Sequence, residues 1–324
     1  MESVKRIIKN NKGILVVLAI LFILISIVSP VFLSVQNLIT LLQQVAINVI
    51  IALGMTLVII LGGIDLSVGS IVALSGTLCV GLVENFNLNI ILAVLLSIVI
   101  GTLIGLINGK IITKFKLPAF IVTLATMNIA RGAAYLYSGG RSLRSTNEIF
   151  SSIGNTRLFG VLPISILYMF VLVAIFSVLL SKTKFGTYVY AIGGNRQAAS
   201  FSGIQNEKVE TIVYVLSGFL AALAGVVLAS RMYSGQPSVG QGYEMNAIAA
   251  CVLGGVSMSG GQGNISGTFF GAIVIGIVSN GLNLVGISSF WQLVIMGIII
   301  LLAVIVDAKR DTFLSKKKGK NNDK

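Results

Sequence analysis

Long apolar stretches dominate this chain, and each is about as long as a helix that crosses a lipid bilayer. The 324-residue sequence is 56% hydrophobic and 10% charged, whereas soluble domains carry about 25% charged residues. A bilayer interior offers no water to hydrogen-bond with the backbone, so an apolar stretch of about 20 residues closes its hydrogen bonds within a helix. The pattern therefore predicts an all-α, polytopic transmembrane helix bundle, forming a single domain over residues 1–324.

Measured in units of about 20 apolar residues, the sequence predicts about ten membrane helices. The eighth is short, and we expect broken or short helices near two glycine-rich motifs. If the first residues lie on the inner side, alternation brings the strongly basic segments to that side as well. The predicted spans are 13–33, 45–62, 67–84, 89–108, 118–137, 161–181, 209–230, 244–258, 265–285 and 289–306.

The formal net charge of +13 comes mainly from polar segments that alternation places on one side of the membrane. Basic residues in such positions are typical of cytoplasmic segments and set the orientation of the helices. The distribution therefore predicts contact with the lipid bilayer and no binding of nucleic acid. The segments expected in the cytoplasm are the N-terminus 1–12, the loop 110–116, the loop 182–208 and the tail 307–324.

The residues present exclude several kinds of active site. The sequence has no GxxxxGK[ST] pattern and no histidine, so it lacks a P-loop for nucleotide and the commonest metal ligand. We therefore expect a transport subunit rather than an enzyme, with no metal site and no cofactor in this chain. Cys79 and Cys251 both lie in apolar stretches, where we expect packing and no disulfide.

Asp65 is the outstanding polar residue, because it lies in the motif GGIDLSVG between two apolar stretches. A carboxyl group at membrane depth costs about 2.5–3.5 kcal/mol and normally faces a cavity or a partner. Gly62 and Gly63 are expected to end the preceding helix, so that Asp65 or Ser67 caps the free N–H groups of the next. The alternative is direct contact with a solute, and the two roles are compatible.

Neutral amides and hydroxyls make up most of the other polar groups in the apolar stretches. They suit a neutral, polyhydroxylated solute better than an ion, and hydrogen bonding between helices is the alternative for each of them. Arg131, about two turns from the outer end of its helix, is expected to extend toward the outer surface. The candidate residues of a translocation pathway are Asp65, Ser67, Asn48, Asn128, Asn280 and Asn283.

The two glycine-rich motifs resemble each other. Residues 61–69 read LGGIDLSVG, and residues 253–261 read LGGVSMSGG. Glycine-interrupted apolar segments in corresponding places indicate the pathway of a transporter. The match represents a parallel repeat, an inverted repeat, or a coincidence between glycine-rich segments.

Two polar loops offer surfaces to other proteins. The loop 182–208 is the longest polar interruption on the basic side, and its residues 197–203 predict a short helix with small side chains and a glycine stop. The longest outer loop, 138–160, carries three arginines on the side where topology does not require cations. We expect them to receive a protein partner, or else to contact lipid headgroups or pair with Glu148. These residues are Arg141, Arg144 and Arg157.

Five stretches of the sequence carry a resemblance to a known family. Together and in this order they are similar to the ribose-type sugar permeases of bacterial ABC importers, a binding-protein-dependent family that also includes branched-chain amino acid permeases. The similarity extends from about the first predicted helix to the last. The stretches are GGIDLSVG (62–69), NGKIITKFKLPAFIVTLATM (108–127), YAIGGNRQAASFSGI (190–204), YEMNAIAACVLGGVSMSGGQGNISGTFFGAIVIG (243–276) and NGLNLVGISSFW (280–291).

The resemblance implies partners and a cellular location. Such a permease works as a homodimer with its pathway at the dimer interface, receives sugar from an extracytoplasmic sugar-binding protein, and is driven by a cytoplasmic ABC ATPase that binds ATP and Mg. It lies in the inner membrane of a bacterium with both termini in the cytoplasm. Segment 190–204 would be the ATPase-coupling element, although Gln197 stands where such loops have a glutamate. The coupling residues are Gly193, Gly194, Asn195, Gln197, Ala198, Ala199 and Gly203.

The sequence therefore predicts the membrane-spanning subunit of an ATP-driven importer of ribose or a related monosaccharide. Two alternatives stay open, a branched-chain amino acid permease and an ion-coupled secondary sugar carrier. The coupling loop and the scarcity of acidic residues within the apolar stretches argue against the carrier. Neighbouring genes for an ATPase and a binding protein would separate an importer from a carrier.

Overall fold

The computed structural model describes residues 11–322, with side chains through Asp307, and forms a bundle of apolar helices. Within these residues, seven helices are long and apolar enough to cross a membrane. They are α2 (Val35–Ile60), α4 (Ile90–Phe115), α5 (Ala119–Ser138), α7 (Ile164–Lys182), α10 (Asn206–Arg231), α12 (Ile265–Leu284) and α13 (Ser289–Asn322). Three shorter apolar helices complete the bundle, α1 (Lys12–Val28), α3 (Val68–Glu84) and α11 (Tyr243–Leu253).

Short elements connect these helices. The remaining helices are a 3-10 helix (Pro30–Leu33), α6 (Glu148–Asn155), α8 (Lys184–Gly194) and α9 (Arg196–Phe201). The strands are β1 (Leu143–Arg144), which pairs antiparallel with β4 (Ser234–Gly235), and β2 (Arg157–Leu158), which pairs antiparallel with β3 (Leu162–Pro163).

The all-α bundle predicted from the sequence is confirmed, and each predicted span corresponds to one of the apolar helices. α2 begins at Val35, before its predicted span 45–62, because Ser34 accepts a hydrogen bond from the backbone of Asn37 and starts the helix there. The eighth span is short, as expected, and becomes α11. The predicted N-terminal segment 1–12 lies almost wholly outside the described residues, as do the side chains of the tail beyond Asp307.

α2 and α10 form the centre of the bundle. Every residue of α2 from Val45 to Ile60 is buried, and α10 packs against α2, α3 and α4. The contact between α4 and α10 depends on glycine, because a Cβ on Gly105 would overlap the carbonyl oxygen of Tyr214. Such close approach through small residues is typical of helix packing in membranes. A rigid central pair therefore positions the segments that break the helical pattern.

Two helices begin inside the bundle rather than at its ends. Asp65, just before α3, accepts a hydrogen bond from Ser217, which lies about 16 Å along α10 from its first residue. On the other side, the connection 232–242 after α10 runs along α3 until Gly240 packs against Gly69. We call residues 232–242 the re-entrant segment. It places the start of α11 beside the start of α3, so both N-termini lie within the bundle.

Candidate functional site

Asp65 is fully buried, and both of its carboxyl oxygens accept hydrogen bonds. Oδ1 accepts from the backbone N–H of Ser67 at 3.0 Å and from its hydroxyl at 2.6 Å. Oδ2 accepts from the hydroxyl of Ser217 on α10 at 2.7 Å. The hydroxyl of Ser67 in turn accepts a bond from the amide of Asn108 on α4 at 3.0 Å. α4 and α10 thus hold the start of α3 through this one cluster.

A neighbouring helix also bonds to the non-helical backbone before α3. Gly62, at a φ of +84°, ends α2 in a left-handed turn that favours glycine. The hydroxyl of Thr123 on α5 donates to the carbonyl of Ile64 at 3.1 Å. A Cβ on Gly63 would overlap the hydroxyl of Tyr214. Irregular backbone at membrane depth is tolerated only where protein or a water-filled cavity surrounds it. In this stretch Asp65 is buried, Ile64 is half-buried and Gly62 is exposed.

The structure separates the two capping candidates. Asp65 binds the N–H of Ser67, the residue directly before α3, whereas the side chain of Ser67 makes no capping bond to the helix. Asp65 therefore closes the turn that leads into α3. Both side chains are fully buried, and their assignment to a pathway stays a prediction.

Two of the candidate asparagines lie on α12, at the end of the bundle where α2 and α13 begin. Asn280 on α12 exchanges two side-chain hydrogen bonds with Asn37 on α2, at 2.9 and 3.1 Å. Asn283 accepts a bond from Gln292 on α13 at 2.7 Å. These amides join helices to each other, which is the alternative role that the sequence left open for them.

The other two asparagines lie apart from this pair and from Asp65. Asn128 is on the exposed face of α5, where its amide donates to the carbonyl of Leu124 at 3.0 Å. Asn48 is buried in α2, and its side chain makes no hydrogen bond to the described residues. The structure thus brings together only Asp65 and Ser67 of the six candidates, and a shared pathway for all six stays a prediction.

Arg131 on α5 holds the re-entrant segment in place. Instead of extending to the outer surface, its guanidinium donates to the carbonyl oxygens of Pro237 at 2.7 Å and Val239 at 2.6 Å. Glu244, in the first turn of α11, accepts from the N–H of Gly242 at 3.2 Å. Sequence reasoning missed this role for Arg131. The available signal was a lone arginine in an apolar span, which normally has a partner inside the protein.

The inner ends of the two glycine motifs meet below α2. The N–H of Gly261 donates to the carbonyl oxygen of Ile60 at 2.8 Å, and a Cβ on Gly193 of α8 would overlap the same oxygen. We call Ile60, Gly193 and Gly261 the inner junction. Gly62 and Gly255 make the same left-handed turn, with φ of +84° and +82°. The sequence match pairs Gly62 with Gly254 instead, so the correspondence in the structure is shifted by one residue.

α9 presents an exposed face next to the inner junction. The side chain of Asn195 caps the helix by accepting from the N–H of Ala198 at 2.9 Å. Gln197 and Ala198 are exposed, Ala199 is buried, and Phe201 is 93% exposed. An exposed aromatic ring beside small side chains is typical of a surface that another protein covers.

Other contacts fix the orientation of α9. Arg196 forms a salt bridge with Glu210 on α10 at 3.0 Å. Gly203 has a φ of +82° and ends the segment, whereas a Cβ on Gly194 would meet no atom within 4 Å. The predicted coupling residues therefore form one continuous segment against α10, and their role in coupling stays a prediction.

The outer loop is held by Glu84 at the end of α3. Its carboxyl oxygen Oε1 accepts from the hydroxyl of Ser145 at 2.7 Å and from the N–H of Thr146 at 3.1 Å. Within the described residues, the three arginines of the loop are exposed and form no salt bridge with Glu148. Internal pairing therefore does not account for them, and docking stays a prediction. These residues are Arg141, Arg144 and Arg157.

The bundle of long apolar helices, with non-helical backbone inside it before α3 and before α11, is that of a multi-pass membrane protein. Residues 37–304 match the model of the family described as branched-chain amino acid transport system / permease component. The chain belongs to this family of transport permease components, so it is a transport subunit rather than an enzyme. The family resemblance expected from the motifs is confirmed.

Individual relatives are similar over nearly their whole length. The chain is 49% identical to the ribose import permease protein RbsC of Bacillus subtilis (strain 168), over 90% of this chain and 91% of that protein. It is 42% identical to the ribose import permease protein RbsC of Escherichia coli (strain K12), over 91% and 93%. It is 43% identical to the L-arabinose transport system permease protein AraH of the same strain, over 92% and 90%. No solved structure matches the chain.

We expect Asp65→Asn to retain much of the transport activity and Asp65→Leu to abolish it. Asparagine accepts the two bonds from Ser67 through Oδ1, and its Nδ2 donates to the hydroxyl of Ser217, which is also an acceptor. Leucine leaves three buried donors without a partner, at about 1–3 kcal/mol each. Uptake into vesicles with equal amounts of inserted protein measures the difference. If both variants insert and Asn is as inactive as Leu, the charge of Asp65 is required.

Proposed function

We propose that the protein is the membrane-spanning subunit of an ATP-driven importer that carries ribose or a closely related monosaccharide. The observation that carries this proposal is the 49% identity to a ribose import permease over 90% of this chain. A second relative is named for L-arabinose, also a pentose, so the proposal extends to neutral pentoses as a class.

A separate ATPase would supply the energy. The sequence has no P-loop of its own, and the exposed face of α9 suits contact with another protein because Phe201 and Ala198 both point away from the bundle. In this proposal ATP and Mg bind to the ATPase. The inner junction then links α8, next to that contact, to the backbone at the end of α2.

The proposal also includes a second copy of the chain and a sugar-binding protein. The permease would be a homodimer in the inner membrane of a bacterium, with both termini in the cytoplasm and the sugar pathway between the two copies. The basic segments 110–116 and 182–208 support this orientation. The arginines of the outer loop would then face the binding protein.

Uptake by the reconstituted complex tests this function. The chain would be placed in vesicles with an ATPase and a sugar-binding protein from the same organism, and supplied with labelled ribose, arabinose, glucose and leucine. We expect ATP-dependent uptake of ribose or arabinose, and vesicles without ATP are the control. Uptake of leucine alone would support the branched-chain amino acid alternative. Uptake driven by an ion gradient without ATP would support the carrier.

We expect Ala198→Trp to uncouple the permease from its ATPase. Ala198 is exposed on α9, so the bulky ring leaves the fold intact but holds the two protein surfaces apart, and packed interfaces tolerate little of that. Lys184→Trp, at an exposed position of α8, is the matched control. Sugar-stimulated ATPase activity should fall by about tenfold or more in the first variant only. Normal stimulation in Ala198→Trp would remove α9 from the coupling role.

We expect Arg141→Glu combined with Arg144→Glu to slow docking of the binding protein. Charges at the rim of an interface act mainly on the association rate, and salt screens them over about 8 Å at physiological ionic strength. Association would be followed on permease in nanodiscs across a salt series, with Lys182→Glu and Lys184→Glu on the inner side as the charge-matched control. An unchanged rate and salt dependence would reject this docking surface.

A further inference from the structure

A cavity of about 530 Å³ opens between α2, α11, α12 and α13. It extends from Ser289, at the outer end of α13, to Gly242, at the start of α11. Because α11 begins inside the bundle, the cavity leads from the outer side toward the interior. Its lining residues are Gln44, Gln241, Gly242, Met245, Asn246, Ser279, Ser289, Gln292, Leu293, Met296, Gly297 and Ile300. We call this space the amide cavity.

Most of the polar side chains in the amide cavity have no partner in the protein. Five of them make no side-chain hydrogen bond to the described residues, whereas Gln292 donates to Asn283 and to the carbonyl of Ile287. Gln44, Asn246 and Ser279 are half-buried, whereas Gln241 and Ser289 are exposed. These groups therefore leave donors and acceptors for something that occupies the cavity. They are Gln44, Gln241, Asn246, Ser279 and Ser289.

The lining carries no charged residue. A zwitterionic amino acid needs charged or strongly oriented partners for its ammonium and carboxylate groups when it leaves water. A neutral solute with several hydroxyls needs only hydrogen-bond donors and acceptors, which amides supply together. The cavity therefore favours a sugar over a branched-chain amino acid.

The remaining wall of the cavity is apolar. Met245, Leu293, Met296 and Ile300 supply it, and a sugar ring has C–H faces as well as hydroxyl edges. The volume lies within the range of about 300–1,000 Å³ typical of small-molecule sites. An apolar wall offers few hydrogen bonds to the solute. This is compatible with transport, because a pathway must bind its solute weakly enough to release it.

We propose that the amide cavity is a transient site for a neutral pentose in each protomer, between the outer side and the start of α11. The amides of Gln44 and Asn246 would bind the hydroxyls while the methionine and leucine side chains cover the ring. This inference rests on the proposed sugar import. It assigns sugar binding to residues other than the six pathway candidates that the sequence analysis named.

Filling the cavity is the first test. Gly297 lines the cavity, and a Cβ there would meet no atom within 4 Å, so Gly297→Phe adds a bulky ring at the cavity wall without an overlap at its Cβ. Ile298→Phe is the matched control, since Ile298 is 52% exposed on the same helix and does not line the cavity. We expect ribose uptake to fall by about tenfold or more for Gly297→Phe and to stay within about twofold of the parent for the control.

Removing single amides is the second test. Gln44→Leu and Asn246→Leu each remove one hydrogen-bonding group, so kcat/KM for uptake should fall by up to about tenfold. Gln43→Leu, at the next position of α2 and outside the cavity lining, is the matched control. If the wild-type complex imports ribose and every cavity variant takes it up as fast as its control, the inference is overturned and the proposed function is unaffected. A wild-type complex that imports no sugar rejects both.

Thiol labelling gives a readout that does not depend on transport. The native Cys79 and Cys251 are fully buried, so a cysteine introduced as Asn246→Cys is the accessible thiol among the described residues. We expect ribose to slow its reaction with a membrane-impermeant maleimide, and leucine to have no effect. Gln43→Cys should react at the same rate with and without ribose. Labelling at position 246 that no concentration of ribose slows would overturn the inference.

Discussion

The architecture depends on burying non-helical backbone inside a membrane without leaving its N–H and C=O groups unpaired. Each unpaired group in hydrocarbon costs several kcal/mol, and the chain leaves the helical pattern at depth in two places. At the first place, Asp65 accepts from the backbone N–H of Ser67, and the hydroxyl of Thr123 donates to the carbonyl of Ile64. Arg131 satisfies the second by donating to two carbonyls of the re-entrant segment. Asp65 and Arg131 thus hold the backbone where α3 and α11 begin side by side within the bundle.

The inner junction connects the ends of the two glycine motifs to α8. Backbone meets backbone where Gly193, Ile60 and Gly261 come together, so these contacts do not change with side-chain rotamers. Packed contacts of this kind transmit strain instead of compressing. A movement of α8 would therefore reach the ends of both glycine motifs.

The sequence predicted the roles of some polar residues better than those of others, for physical reasons. Asp65 stood out in the sequence because a carboxyl group in an apolar stretch is costly and rare, and its turn-closing bond to Ser67 is local. The roles of the asparagines were harder to predict, because an amide in a membrane helix can either line a pathway or hydrogen-bond to a neighbouring helix. Asn280 meets Asn37 from the far end of the chain, and no local pattern indicates that pairing. The partners of Arg131 were missed for the same reason.

By itself, the sequence determined the class of protein and the approximate number of membrane helices, because bilayer thickness acts on each apolar stretch independently. Its motifs also indicated the family. Only the tertiary structure decided which polar groups meet. The amide cavity combines Gln44 with Asn246 and Ser279, and the inner junction combines three separate segments. Hydrogen bonds and close packing act over a few ångströms, so they depend on how distant segments fold together and leave little trace in any one of them.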